Sequence, residues 1–151
     1  MALGFMQGDS GLGRLASDTH RGVPVYIGKD DDDVKYLFTE GSFSNSTKYY
    51  SYYTREYQDY LIDLGFDSRP LYERELPSTF DEWDNKEKRS FIKGLFSANG
   101  SVIGNTGRGR VTLKSTSEKL INQVKSYFDS EGYSTNITIG KPKVKEFYNG
   151  E

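Results

Sequence analysis

Apolar and polar positions alternate along this chain in two distinct periods, and each period marks an element. Leu120, Ile121, Val124, Tyr127 and Phe128 recur at three- and four-residue spacing, so they fall on one face of an amphipathic helix. Ser117 stands where an N-cap is needed. Arg110 to Lys114 alternates instead with a period of two, the mark of a strand. Tyr57, Leu61 and Leu64 predict a further helix over about 56–65. A short apolar helix rich in small residues is expected to end at Gly100, with Asp84 and Glu87 spaced as a capping box at its start.

These patterns occur twice. Val34-Lys35-Tyr36-Leu37-Phe38-Thr39-Glu40-Gly41 resembles Val124-Lys125-Ser126-Tyr127-Phe128-Asp129-Ser130-Glu131-Gly132, and Gly4 to Asp9 resembles Gly94 to Asn99 at the same offset of about 90 residues. Each copy runs from a short helix through a hairpin-like stretch (Gly13 to Ile27, then Gly107 to Lys114) into a second helix. Strand-like sequence follows at Asn45 to Tyr53 and Ser134 to Phe147. In the first copy Asp30 to Asp33 open the second helix, where negative charge suits the helix dipole; a calcium loop is the competing reading, but EF-hand spacing is absent. Copy one, 1–66, is followed by a charged, proline-containing linker, 67–85. Copy two, 86–151, lacks an equivalent of the 56–65 helix.

Composition narrows the function. The chain has 151 residues, a formal charge of −2 and no cysteine, which excludes disulfides and thiolate metal sites and points to a cytoplasmic, intracellular protein. Its single histidine, His20, excludes a His-based metal cluster. No apolar run is long enough to span a membrane, and the N-terminal segment lacks the pattern of a secretory signal. The small net charge hides an asymmetry: residues 1–88 carry −7 and residues 89–151 carry +5. A basic half calls for a basic surface. Arg108, Arg110, Thr112 and Lys114 share one strand face, with Val111 and Leu113 directed to a core. Asn136, Thr138, Lys141, Lys143 and Lys145 are polar in the later stretch, with Ile137, Ile139 and Val144 available for burial. Such a face suits phosphate contact and base readout, although a merely solvated sheet has the same pattern. Arg14, His20, Arg21 and Lys48 are the candidates in copy one; its crowded tyrosines at 49, 50, 52 and 53 fit either half-buried strand positions or phosphate contacts.

Gly4 and Gly8, like Gly94 and Ala98, are small residues four apart, which lets two helix backbones approach closely. Packing of these helices against each other would set their C-terminal ends, with Asp9 and Asn99, side by side. Partial negative charge at the two ends, joined by carboxylate, makes a site for a hard cation such as Mg²⁺. The plainer alternative is that the pair forms only a packing core.

Ala2-Leu3-Gly4-Phe5-Met6-Gln7-Gly8-Asp9 and Ile92-Lys93-Gly94-Leu95-Phe96-Ser97-Ala98-Asn99-Gly100 both resemble the LAGLIDADG motif of homing endonucleases. The approach from Glu75-Leu76-Pro77 to Phe91 resembles that of double-motif members embedded in inteins. The resemblance implies an α+β fold of two pseudo-symmetric αββαββα halves, with the motif helices at the interface and antiparallel sheets forming a saddle over double-stranded DNA. It also implies that Asp9 and the residue at position 99 hold Mg²⁺ or another divalent cation and support phosphodiester hydrolysis. The sequence departs from the pattern in three places: Ser10 replaces a glycine, Ser97 a frequent acid, and Asn99 the second motif's carboxylate. An amide keeps an oxygen acceptor but loses the charge, so cation binding is expected to weaken and cleavage to be lost or confined to one strand. Non-cleaving relatives of the fold, a DNA-binding regulator or an RNA-intron maturase, are the alternative, and an unrelated α+β interaction domain is the third reading. With no terminal splicing residues, self-splicing is not expected; the rest of an intein or a second copy of the chain is the implied protein partner.

Overall fold

In the computed structural model, residues 1–12, 15, 23–27, 32–38, 42–44, 49–52, 54–104, 107 and 109–141 are described. The described residues form four α-helices and two antiparallel sheets. Helix α1 spans Ala2–Asp9 and is followed by strand β1, Val23–Tyr26. A 3-10 helix over Asp32–Phe38 leads to strands β2, Ser42–Ser44, and β3, Tyr49–Tyr52. Helix α2 covers Arg55–Asp63, where the Thr54 hydroxyl accepts the Tyr57 N–H as an N-cap. Helix α3 covers Asn85–Asn99, strands β4 and β5 are Gly100–Ile103 and Arg110–Leu113, and helix α4 is Glu118–Ser130.

Both sequence-expected caps form. Asp84 accepts the Glu87 N–H while the Glu87 carboxylate accepts the Asp84 N–H, a complete capping box. The Ser117 hydroxyl accepts the Leu120 N–H at 3.2 Å. Gly100 ends α3 in an extended conformation, φ −90 and ψ 166, rather than in the left-handed cap that glycine commonly provides. It passes directly into β4, so the β4–β5 hairpin starts earlier than the expected Gly107 to Lys114 stretch.

In the first sheet β3 is central, with β1 and β2 antiparallel on either side; Val23 pairs with Tyr52 and Ser42 with Ser51. β4 and β5 form a separate two-stranded sheet, with Val102 opposite Val111 and Gly100 opposite Leu113. The core joins α1, β1, α2, α3 and α4 through Phe5, Met6, Val23, Val25, Leu61, Phe91, Leu95, Leu120 and Val124, all buried. Segment 67–85 lies against it. Phe80 and Trp83 pack edge-to-face with Phe91 of α3, with ring centroids 5.5 and 5.4 Å away.

Three expectations are corrected. The Asp32–Phe38 element is a 3-10 helix, whereas α4, which carries the similar sequence, is an α-helix, although Val34 and Val124 are both buried. Val111 does not face the core. It is 63% exposed opposite Val102 at 77%, whereas Leu113, on the same strand face, is packed against the core. Residues 134–141 form no strand, and Ile137 and Ile139 are exposed.

Candidate functional site: the paired ends of two helices

α1 and α3 touch backbone to backbone at their glycines. A Cβ on Gly4 would overlap the Phe91 carbonyl and the Leu95 nitrogen; a Cβ on Gly94 would overlap the Met1 carbonyl and the Phe5 nitrogen. Because Met1 and Phe91 are 90 apart in sequence, as are Phe5 and Leu95, the two contacts are reciprocal, as across a two-fold axis. Four residues on, a Cβ on Gly8 would lie 2.6 Å from the Ala98 Cβ and 2.8 Å from the Asn99 side-chain nitrogen. Contacts advance in the same direction along both helices, so the helices run parallel and finish together. Asp9 is the last residue of α1 and Asn99 the last of α3, both half-buried.

Neither helix carries a basic residue in its last turn. The two negative dipole ends therefore add to the Asp9 carboxylate. Ser10 is buried; its N–H and its hydroxyl both donate to the Met6 carbonyl, closing α1. Among the described residues no three His, Asp or Glu side chains gather into a metal site. A hard cation at this end would have Asp9 and the Asn99 amide oxygen as side-chain ligands and would take further oxygens from water or a bound phosphate.

The basic hairpin is attached to the same point. The Asn99 carbonyl accepts the Lys114 N–H at 3.3 Å, and β4 begins at the next residue. Arg110, Thr112 and Lys114 share a face with Ser101 and Ile103. Arg110 and Lys114 are exposed, while Thr112 donates to the Ser101 carbonyl at 3.3 Å. Asn136, Thr138 and Lys141 are exposed but belong to an unpaired segment after α4, so they do not extend this face as a strand. Arg14, His20, Arg21, Lys48, Arg108, Lys143 and Lys145 lie outside the described residues.

Sequence reasoning missed Arg74. It is 5% exposed, and its Nη1 donates to the Gln7 carbonyl at 2.8 Å. Burial lowers its pKa, with Asp67 acting in the opposite direction. Next to it, Glu75 accepts from Lys119 and Arg69, and these bonds, Lys119 first, hold its carboxyl below the usual carboxylate range. Nothing in a charged stretch of 67–85 marks one arginine as buried.

No curated protein and no solved structure matches the chain significantly. A protein-family model described as a LAGLIDADG-like domain matches residues 86–149, the segment that contains all of α3 but its first residue, the β4–β5 hairpin and α4. The match over residues 86–149 supports the LAGLIDADG homing endonuclease family for this chain.

Proposed function

We propose that the chain binds double-stranded DNA across two pseudo-symmetric halves and that the paired ends of α1 and α3 are its cation-dependent cleavage site. The observation that carries this reading is the parallel, reciprocal packing of the two helices. It brings Asp9 and Asn99 to one end, where the basic hairpin also starts. Arg110 and Lys114 would contact phosphates and fix the register of the duplex, and Thr112 would lie toward the base edges. A bound divalent cation such as Mg²⁺ would supply water activation and charge stabilisation at a phosphodiester. The part of the chain itself is to orient: Asp9 offers the carboxylate, Asn99 a neutral oxygen, and the two helix ends fix both against a phosphate held by the hairpin.

Asn99 favours a second reading of the same fold, in which binding persists without cutting. A carboxamide withholds the second charge, so only the Asp9 side keeps its full attraction for a cation. A nicked or uncut product is expected from the wild-type chain.

DNA binding is tested on sites selected from a random duplex pool in Ca²⁺. The Arg110→Ala/Lys114→Ala double variant should bind more weakly and lose about 1.8 from the slope of log affinity against log salt, since each phosphate contact contributes about 0.9. Unchanged affinity and slope would rule out the hairpin as the DNA face.

A further inference from the structure

We infer that Arg74 is a positioning residue for Asp9, reaching across from the 67–85 segment to lock the last turn of α1. The inference rests on the cation-site reading of Asp9 given above. Arg74 is buried, none of its nitrogens pairs with a carboxylate among the described residues, and its Nε has no acceptor. A buried guanidinium with an unsatisfied Nε is costly even with the charge of Asp67 nearby, and an apolar side chain of similar length would fill the same space without that penalty. Its side-chain hydrogen bond to the Gln7 carbonyl identifies what the charge is used for. The last four carbonyls of any helix lack partners within the helix. In α1 the Met6 carbonyl is taken by Ser10 and the Gln7 carbonyl by Arg74. α1 has only two turns and no basic residue in its last turn, so Arg74 supplies from outside the cation that the helix end lacks.

The neighbouring residues complete the clamp. The Gln7 side chain donates to the Glu75 carbonyl at 2.9 Å, so consecutive linker residues hold both the main chain and the side chain of Gln7, two positions before Asp9. On its far side the same stretch is tied to α4. The Ser117 hydroxyl donates to the Arg74 carbonyl, and the Leu76 N–H donates to the Gln123 side-chain oxygen at 2.8 Å. Ser117 in turn follows Lys114 by three residues, with its N–H on the Ser115 hydroxyl. One strap, 74–76, thus sets the end of α1 relative to the helix that follows the basic hairpin.

The test uses the full chain with Mn²⁺ as probe, read by electron paramagnetic resonance, together with hydrogen exchange at the Ser10 amide and thermal melting. Asp9→Asn should remove the Mn²⁺ site. Arg74→Met should weaken Mn²⁺ binding about tenfold, the usual scale for loss of a residue that orients a ligand, and should speed Ser10 exchange while the melting temperature stays near wild type. Arg74→Lys, which keeps the charge, should recover part of both. A folded Arg74→Met protein with wild-type Mn²⁺ affinity and wild-type Ser10 exchange would overturn the inference. If Mn²⁺ binding survives Asp9→Asn, the cation-site reading fails, and Ser10 exchange in Arg74→Met still decides whether Arg74 holds the helix end. Should Arg74→Met not fold, Gln7→Leu decides. It removes only the bond to Glu75, and unchanged exchange and Mn²⁺ affinity there would count against the strap, while loss of both supports it.

Discussion

Replacing Gly4 by alanine adds one methyl group at the tightest point between α1 and α3. Its new Cβ would sit inside the van der Waals envelope of the Phe91 carbonyl oxygen and the Leu95 nitrogen. Both are backbone atoms of a fifteen-residue helix, so no side-chain rotation relieves the overlap and the helices must separate. Overpacking of this kind costs roughly 1–3 kcal/mol, and the upper end applies where backbone meets backbone. Alanine returns about 1 kcal/mol through its better helix propensity. The net loss is about 2 kcal/mol, which for a chain of this size lowers the melting temperature by about 4–8 °C. Gly8→Ala is the internal control. Its Cβ meets the Ala98 methyl at 2.6 Å, which cannot rotate away, and the Asn99 amide, which can. The overpacking there costs about 1–2 kcal/mol, and the propensity gain of about 1 kcal/mol leaves a net loss of about 1 kcal/mol or less. Calorimetry of the two variants measures the difference. A Gly4→Ala protein as stable as wild type, or no less stable than Gly8→Ala, would refute the close parallel contact on which the placement of Asp9 and Asn99 depends.

Two further outcomes follow from the packing and the charges. Val111→Thr should change stability by less than about 0.5 kcal/mol, since Val111 is exposed. Leu120→Ala, at a buried position, should cost about 3 kcal/mol; equal effects in denaturant titrations would contradict the observed uncovered end of the β4–β5 sheet. Glu75 has a folded-state pKa held below the ordinary value by Lys119 and Arg69. Its contribution is present above about pH 4.3, the unfolded carboxyl value, and is lost as pH falls through the lowered folded value. The stability gap between wild type and Glu75→Gln should therefore narrow on acidification and with added salt; a gap that is constant from pH 7 to pH 2 would exclude that linkage.

The helices were legible because their signals are local. Asp84 and Glu87 carry a capping box within four residues, Ser117 precedes a clean apolar stripe, and the small residues at positions 4, 8, 94 and 98 state how closely two backbones can approach. The second sheet was only partly legible. Alternation set the faces of Arg110 to Leu113, but it does not say how far a covering layer extends, so Val111 was assigned to a core that reaches only Leu113. The polar alternation after Ser134 was the same kind of signal with no partner strand beside it among the described residues. The strap was not legible. Arg74 gains its role from the Gln7 carbonyl 67 residues away and from Ser117 43 residues away. Long-range main-chain hydrogen bonds leave no periodic trace in sequence.

The account turns on position 99. Wild type, Asn99→Asp, and Asn99→Asp combined with Asp9→Asn should be incubated with duplexes selected for binding in Ca²⁺, then moved into Mg²⁺ and resolved on denaturing gels that report each strand. The paired-end site predicts that Asn99→Asp cuts DNA more completely than wild type, and that the added Asp9→Asn change reduces cutting on at least one strand. An Asn99→Asp protein that binds its selected site in Mg²⁺ yet cuts neither strand would contradict the site.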